Sequence, residues 1–113
     1  GKCTIAQMDT ACNQAILGVS TKLIDTEFLY YYLSYNESKF IRMGQTGTQS
    51  NLNKEIVQEL KIPFPQRNEQ IEIAGFLSSI DNEIDGLEQK LRKSQMIKQG
   101  MMQSLLTGKI RLV

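Results

Sequence analysis

From residue 73 onward, apolar side chains return every three or four positions: Ile73, Leu77, Ile80, Ile84, Leu87, Leu91 and then Met101 and Leu105. This is one face of a helix, and in heptad register Gln70, Leu77, Ile84, Leu91, Lys98 and Leu105 take position a. Ile73, Ile80, Leu87, Ser94 and Met101 take position d, so eight of the eleven seam positions are apolar. The pattern predicts one coiled-coil helix from about Asn68 to Thr107, roughly 60 Å long at ~1.5 Å per residue. Gly108 is its expected C-terminal cap, with Lys109 just beyond. Gly75, Gly86 and Gly100 lie off the seam, where each costs ~1 kcal/mol relative to alanine. A helix with that burden needs a second helix along its stripe, because the 65 residues before it cannot cover so long a surface.

The pattern changes at Ile62-Pro63-Phe64-Pro65, where two prolines in three residues forbid a helix and set a boundary between residues 1–65 and 66–113. Upstream, Asn13 to Ser20 is apolar enough for a buried strand. Asp25 and Thr26 offer capping oxygens to a helix beginning at Glu27, with Phe28, Leu29, Tyr32 and Leu33 at helical spacing. Gly44 to Asn51 has no apolar period and reads as a polar loop. Asn53 caps a short helix burying Ile56, Val57 and Leu60, and Leu60 to Pro65 reads as a brief edge strand. The expected fold class is therefore α+β: a small mixed domain followed by one long coiled-coil helix.

Composition narrows the chemistry. The chain has 113 residues, 41% of them apolar and 22% charged, which is ordinary for one folded domain with an extended element. There is no histidine, which removes Ser-His-Asp and Cys-His catalysis and histidine-bearing zinc sites. Cys3 and Cys12 are too few for a four-thiolate metal site and read as buried free thiols. The longest apolar run, Phe28 to Leu33, falls far short of a membrane span, and no basic segment leads into a signal-peptide core. A cytoplasmic protein without a membrane partner, catalytic residues or a metal site is expected. The net charge of +1 neither announces nor forbids DNA binding.

Charge is segregated along the long helix. From Gln66 to Gln89 there are six acids and one base, whereas from Lys90 to Val113 there are six bases and no acid. The helix macrodipole fades within the terminal turns and does not account for charges twenty residues in. Antiparallel pairing of two such helices sets the acidic half over the basic half, and it is the expected arrangement, either between two copies of the chain or with another such helix.

Three segments in order, Ile62-Pro-Phe-Pro-Gln-Arg-Asn-Glu-Gln-Ile-Glu-Ile-Ala74, Leu77-Ser-Ser-Ile-Asp81 and Leu105-Leu-Thr-Gly-Lys-Ile-Arg-Leu112, resemble the DNA-specificity subunit of type I restriction-modification enzymes. The resemblance is strong over residues 60 to 112 and weaker over Asn13 to Leu60. It implies a subunit in which target-recognition domains are separated by long antiparallel helices that act as a ruler between two half-sites on double-stranded DNA. It also implies a methyltransferase subunit and a motor-nuclease restriction subunit as partners, which would hold the S-adenosylmethionine, Mg and ATP. The specificity subunit itself would bind no cofactor and catalyse nothing. Intact subunits of this kind are several times longer, so residues 1–65 correspond to the C-terminal part of one recognition domain.

For DNA reading, the candidates are the polar loop and its flanks: Lys39, Arg42, Gln45, Thr46, Thr48, Gln49, Ser50, Asn51 and Lys54. Amide side chains pair with adenine edges and arginine with guanine, while Ser, Thr and Lys hold phosphates. The competing reading is an ordinary surface loop whose amides cap the next helix. Tyr30, Tyr31, Tyr32 and Tyr35 point in different directions on a helix, so core packing is preferred over a base-stacking platform. Lys90, Arg92, Lys93, Lys98, Lys109 and Arg111 read as solvated or inter-helix charge before they read as a phosphate track. The helix-pairing interface is Ile73, Leu77, Ile80, Ile84, Leu87, Leu91, Met101 and Leu105. The reading is a DNA sequence-recognition component of a type I restriction-modification complex. The alternative is a coiled-coil dimerisation module that reads no DNA.

Overall fold

The computed structural model describes residues 2–9, 11–13, 16–44 and 57–113, with Met43 and Gly44 by backbone alone. Its helices are α1 (Thr26–Tyr35), α2 (Glu37–Gly44) and α3 (Arg67–Leu106), and Val57 and Gln58 are also helical. The chain divides into two compact units, Gly1–Phe76 and Leu77–Val113.

Among the described residues there is no strand, and the architecture is all-α, which corrects the expected α+β class. Apolar content alone misleads here, because a strand exists only when a neighbour accepts and donates its main-chain hydrogen bonds. Around Asn13 to Ser20, Ile16, Leu17 and Val19 are exposed rather than buried, and the local bond is a turn from Ile16 N–H to Asn13 O (3.1 Å). In residues 60–65 Pro63 and Pro65 remove two donors, and the segment's carbonyls turn to side chains instead. Tyr32 Oη donates to Lys61 O (3.1 Å) and Gln70 Nε2 donates to Pro65 O (2.9 Å).

Helix α1 begins where its capping residue predicts. Asp25 has extended backbone, and its carboxylate accepts from Glu27 N–H and Phe28 N–H, both at 3.1 Å. Asn36 joins α1 to α2 without an intervening loop. Its N–H and its Nδ2 both donate to Tyr32 O, while its own carbonyl accepts from Lys39 N–H (2.9 Å) and Phe40 N–H (3.1 Å). The pattern of apolar residues did not announce α2. Among the described residues, Phe28 and Leu29 of α1, Phe40 of α2 and Ala74 of α3 are the buried apolar side chains.

A further buried residue is polar. Gln70 is 1% exposed, and both ends of its amide are used: Oε1 accepts from Asp25 N–H (2.8 Å) and Nε2 donates to Pro65 O (2.9 Å). One turn on, Ala74 lies on the same face of α3 at 2% exposure. Gln70 therefore belongs to the core of the first unit and not to the coiled-coil stripe to which heptad counting assigned it.

Helix α3 runs within one residue of its expected limits at each end. Gly108 terminates it with φ of 70°, in the left-handed region that glycine adopts freely. Its N–H donates to Leu105 O (3.2 Å), Ile110 N–H donates to Ser104 O (3.0 Å) and Thr107 Oγ1 donates to Gln103 O.

The cysteines are free, but only Cys3 is partly buried; Cys12 is exposed, which corrects the reading of two buried thiols. Residues 11–13 are exposed throughout, Cys12 with them. Burial raises the Cys3 pKa, and the Glu37 carboxylate adds to the effect.

Two outcomes are expected. Gln70→Leu keeps the volume but strands the Asp25 N–H and the Pro65 carbonyl, and it should cost about 2–4 kcal/mol in urea denaturation of the full chain. Near pH 8 Cys3 should react with Ellman's reagent more slowly than Cys12, and Glu37→Gln should accelerate Cys3 because it removes a charge that disfavours the thiolate.

Candidate nucleic-acid interface and helix-pairing surface

Two of the nine candidate DNA contacts lie in the described structure. Lys39 and Arg42 are three residues apart on α2, hence on one face, and both are exposed. The Arg42 Nε donates to Ser38 O (3.3 Å), which holds the guanidinium stem along its own helix. Lys39 sits in the first turn, with its N–H bonded to Asn36 O, so the Asn36 junction fixes where its side chain leaves the helix. Gln45, Thr46, Thr48, Gln49, Ser50, Asn51 and Lys54 lie outside the described residues, as do Asn53 and Ile56.

The tyrosines of α1 follow the packing reading. Tyr30, Tyr31 and Tyr32 are half-buried, with Tyr30 and Tyr31 in edge-to-face contact at 5.2 Å. Tyr32 is tied through its hydroxyl to Lys61 O, and only Tyr35 is largely exposed.

The helix-pairing candidates all lie on α3. Leu77 and Leu105 are half-buried, whereas Ile73, Ile80, Ile84, Leu87, Leu91 and Met101 are between 38% and 57% exposed in the single chain. On an isolated helix, that degree of exposure belongs to apolar side chains that lie against their own helix and have no second surface over them. Towards the C-terminal end the stripe widens into a shallow, open depression lined by Ile97, Lys98, Met101, Met102, Leu105 and neighbours. Methionine suits such a surface because its unbranched thioether adapts to a partner's shape.

Sequence reasoning missed the residues that hold α3 to the first unit. Gln70 is one of them. Another is Arg67, whose Nη1 donates to Lys22 O (3.3 Å) across 45 residues of sequence. The available signal was a glutamine interrupting an apolar stripe at its very first position, five residues after a proline pair. Among the described residues, no three His, Cys, Asp or Glu side chains gather as a metal site would require, and no helix is long and apolar enough to cross a membrane.

The family described as type I restriction modification DNA specificity domain matches residues 1–97. Over 99% of its length the chain is 31% identical to the putative type I restriction enzyme MjaX specificity subunit of Methanocaldococcus jannaschii, of which it covers 27%. Over 76% of its length it is 36% identical to the type I restriction enzyme MjaVIII specificity subunit of the same organism, covering 20% of that protein. A putative type I specificity subunit of Mycoplasma pneumoniae, S.MpnORF507P, is 32% identical over 71% of the chain, with 22% of that protein covered. The chain thus spans between a fifth and about a quarter of the length of these relatives. No solved structure gives a significant match.

The exposed stripe is open to a direct test. Ile84→Lys places a charge in its middle, and self-association of the full chain measured by sedimentation should be lost while helix content by circular dichroism is retained.

Proposed function

The chain belongs to the family of type I restriction-modification DNA specificity domains, and on that footing we propose that it is part of the DNA sequence-recognition component of such a complex. In this reading the first unit carries the DNA contacts and α3 is the framework. Lys39 and Arg42 on the exposed face of α2 meet the duplex, Lys39 as a phosphate contact and Arg42 at a phosphate or a guanine edge. The polar run from Gln45 to Asn51, with Lys54, supplies further contacts in the same reading.

Helix α3 pairs through Ile73 to Leu105 with another specificity-subunit helix or with a second copy of the chain. The segregation of acids and bases makes antiparallel alignment the favourable one. Apolar burial supplies most of the stability of such a pair, since exposed ion pairs contribute only ~0.2–1 kcal/mol each. The methyltransferase and restriction subunits dock on this framework and carry the chemistry, together with S-adenosylmethionine, Mg and ATP. This chain's part is to position them and not to catalyse.

The observation that carries the proposal is the similarity to specificity subunits along nearly the whole chain, coupled to a 40-residue helix that leaves an apolar stripe open.

The test is duplex binding by fluorescence anisotropy in the presence of the methyltransferase subunit, across a series of salt concentrations. Lys39→Ala should weaken binding to all sequences alike and reduce the slope of log K against log salt by ~1. Arg42→Ala should do the same if it holds a phosphate, and should relax preference at one base pair if it reads guanine. Equal affinity of the unsubstituted chain and both variants for every duplex would reject DNA reading and leave the helix-pairing module.

A further inference from the structure

The stripe of α3 has few polar interruptions, and the structure removes one of them. Gln70 would be the first polar a position, but its amide is consumed inside the first unit. The seam open to a partner therefore starts at Ile73, and its remaining polar positions are Ser94 at d and Lys98 at a. Serine is small and uncharged. Lys98 is exposed and stands in the open depression beside Ile97, Met101 and Leu105.

We infer that Lys98 sets the direction in which two copies of α3 pair, admitting the antiparallel arrangement and rejecting the parallel one. The inference rests on the reading of α3 as a pairing helix. In a parallel, in-register pair, a faces a and d faces d, so two Lys98 ammonium groups would share one layer of an apolar seam. Neither would find relief along the helix, because Lys90 to Val113 contains six bases and no acid.

In an antiparallel pair, a faces d of the other copy. Three registers preserve that match over most of the stripe, and they set Lys98 opposite Ile73, Ile80 or Leu87 of the second copy. Glu72 adjoins the first of these, Asp81 and Glu83 flank the second, and Asp85 and Glu88 flank the third. Glu72, at c, turns away from the seam in the first register, whereas the second and third place Asp81, Glu83 or Glu88 at e or g beside Lys98, so the choice of direction does not depend on which of those two is adopted. The register centred on Gln89 gives the fullest overlap: Leu105 meets Ile73, Lys98 meets Ile80, Leu91 meets Leu87, Ile84 meets Ser94 and Leu77 meets Met101. There the methylene stem of Lys98 lies over Ile80 while its ammonium reaches the flanking carboxylates. A single lysine at a seam position specifies a pairing mode at some cost in affinity.

The experiment uses the full chain with Cys3→Ser and Cys12→Ser and one nitroxide label at Gln103→Cys, an exposed position off the seam. Spin–spin distances report direction. In the antiparallel register centred on Gln89, label 103 lies opposite residue 75, 28 residues from the label of the second copy, or ~42 Å along the axis. A parallel pair puts the labels side by side, roughly 20–30 Å apart. The chain bearing Lys98 should give the long distance alone, and Lys98→Arg, which keeps the charge, should do the same. Lys98→Leu should add a short-distance population, the smaller of the two because the segregated acids and bases still favour antiparallel alignment, and tighten the dimer in sedimentation. A Lys98→Leu dimer that retains only the long distance would overturn the assignment to Lys98 while leaving the pairing helix intact. A chain with Lys98 that stays monomeric at every concentration would instead overturn the pairing reading itself, and a short distance in that chain would reverse the direction.

Discussion

The structure turns on the buried carboxamide of Gln70. An amide withdrawn from water is costly unless its oxygen and its nitrogen both find partners, and here each does, on main-chain groups from two separate stretches of chain. One side chain thereby ties the residue that caps α1 to the proline segment that precedes α3. Among the described residues no buried side-chain nitrogen or oxygen is left without a partner. Among the described residues the buried apolar side chains are Phe28, Leu29, Phe40 and Ala74, and the amide adds bonds of fixed geometry to their non-directional packing.

The same helix serves two environments. Its first turns are committed to the first unit through Arg67, Gln70 and Ala74, whereas further along Ile80, Ile84, Leu87, Leu91 and Met101 are all more than a third exposed. Neighbouring residues on α3 belong to different surfaces: Ala74 faces inward with Gln70, while Ile73, one position before it, is already part of the open stripe.

Features that rest on local chemistry were legible in the sequence. The heptad count, the proline pair and Gly108 located α3 to within a residue, and Asp25 marked the start of α1 because capping requires only a short acceptor beside free N–H groups. Features that depend on distant partners were not legible. The apolar runs at 13–20 and 60–65 have strand-like composition, yet a strand is a property of a pair of segments. Gln70 looked like a flaw in a seam because its two partners lie 45 and 5 residues away in sequence, and nothing in the periodicity points to them. Of the candidate DNA contacts, Lys39 and Arg42 were found on a common exposed face of a helix that apolar spacing did not announce.

The clamp reads no side chains. Gln70 bonds the amide of residue 25 and the carbonyl of residue 65, groups that nearly every amino acid presents in the same way. The outward face of α2, where Lys39 and Arg42 stand, makes no contribution to that joint. Its exposed side chains are free to change in size, charge and hydrogen-bonding character while the attachment to α3 stays the same. A surface mounted in this manner is separable from its scaffold: its exposed positions accept substitution alone, without any compensating change in the helix that carries them.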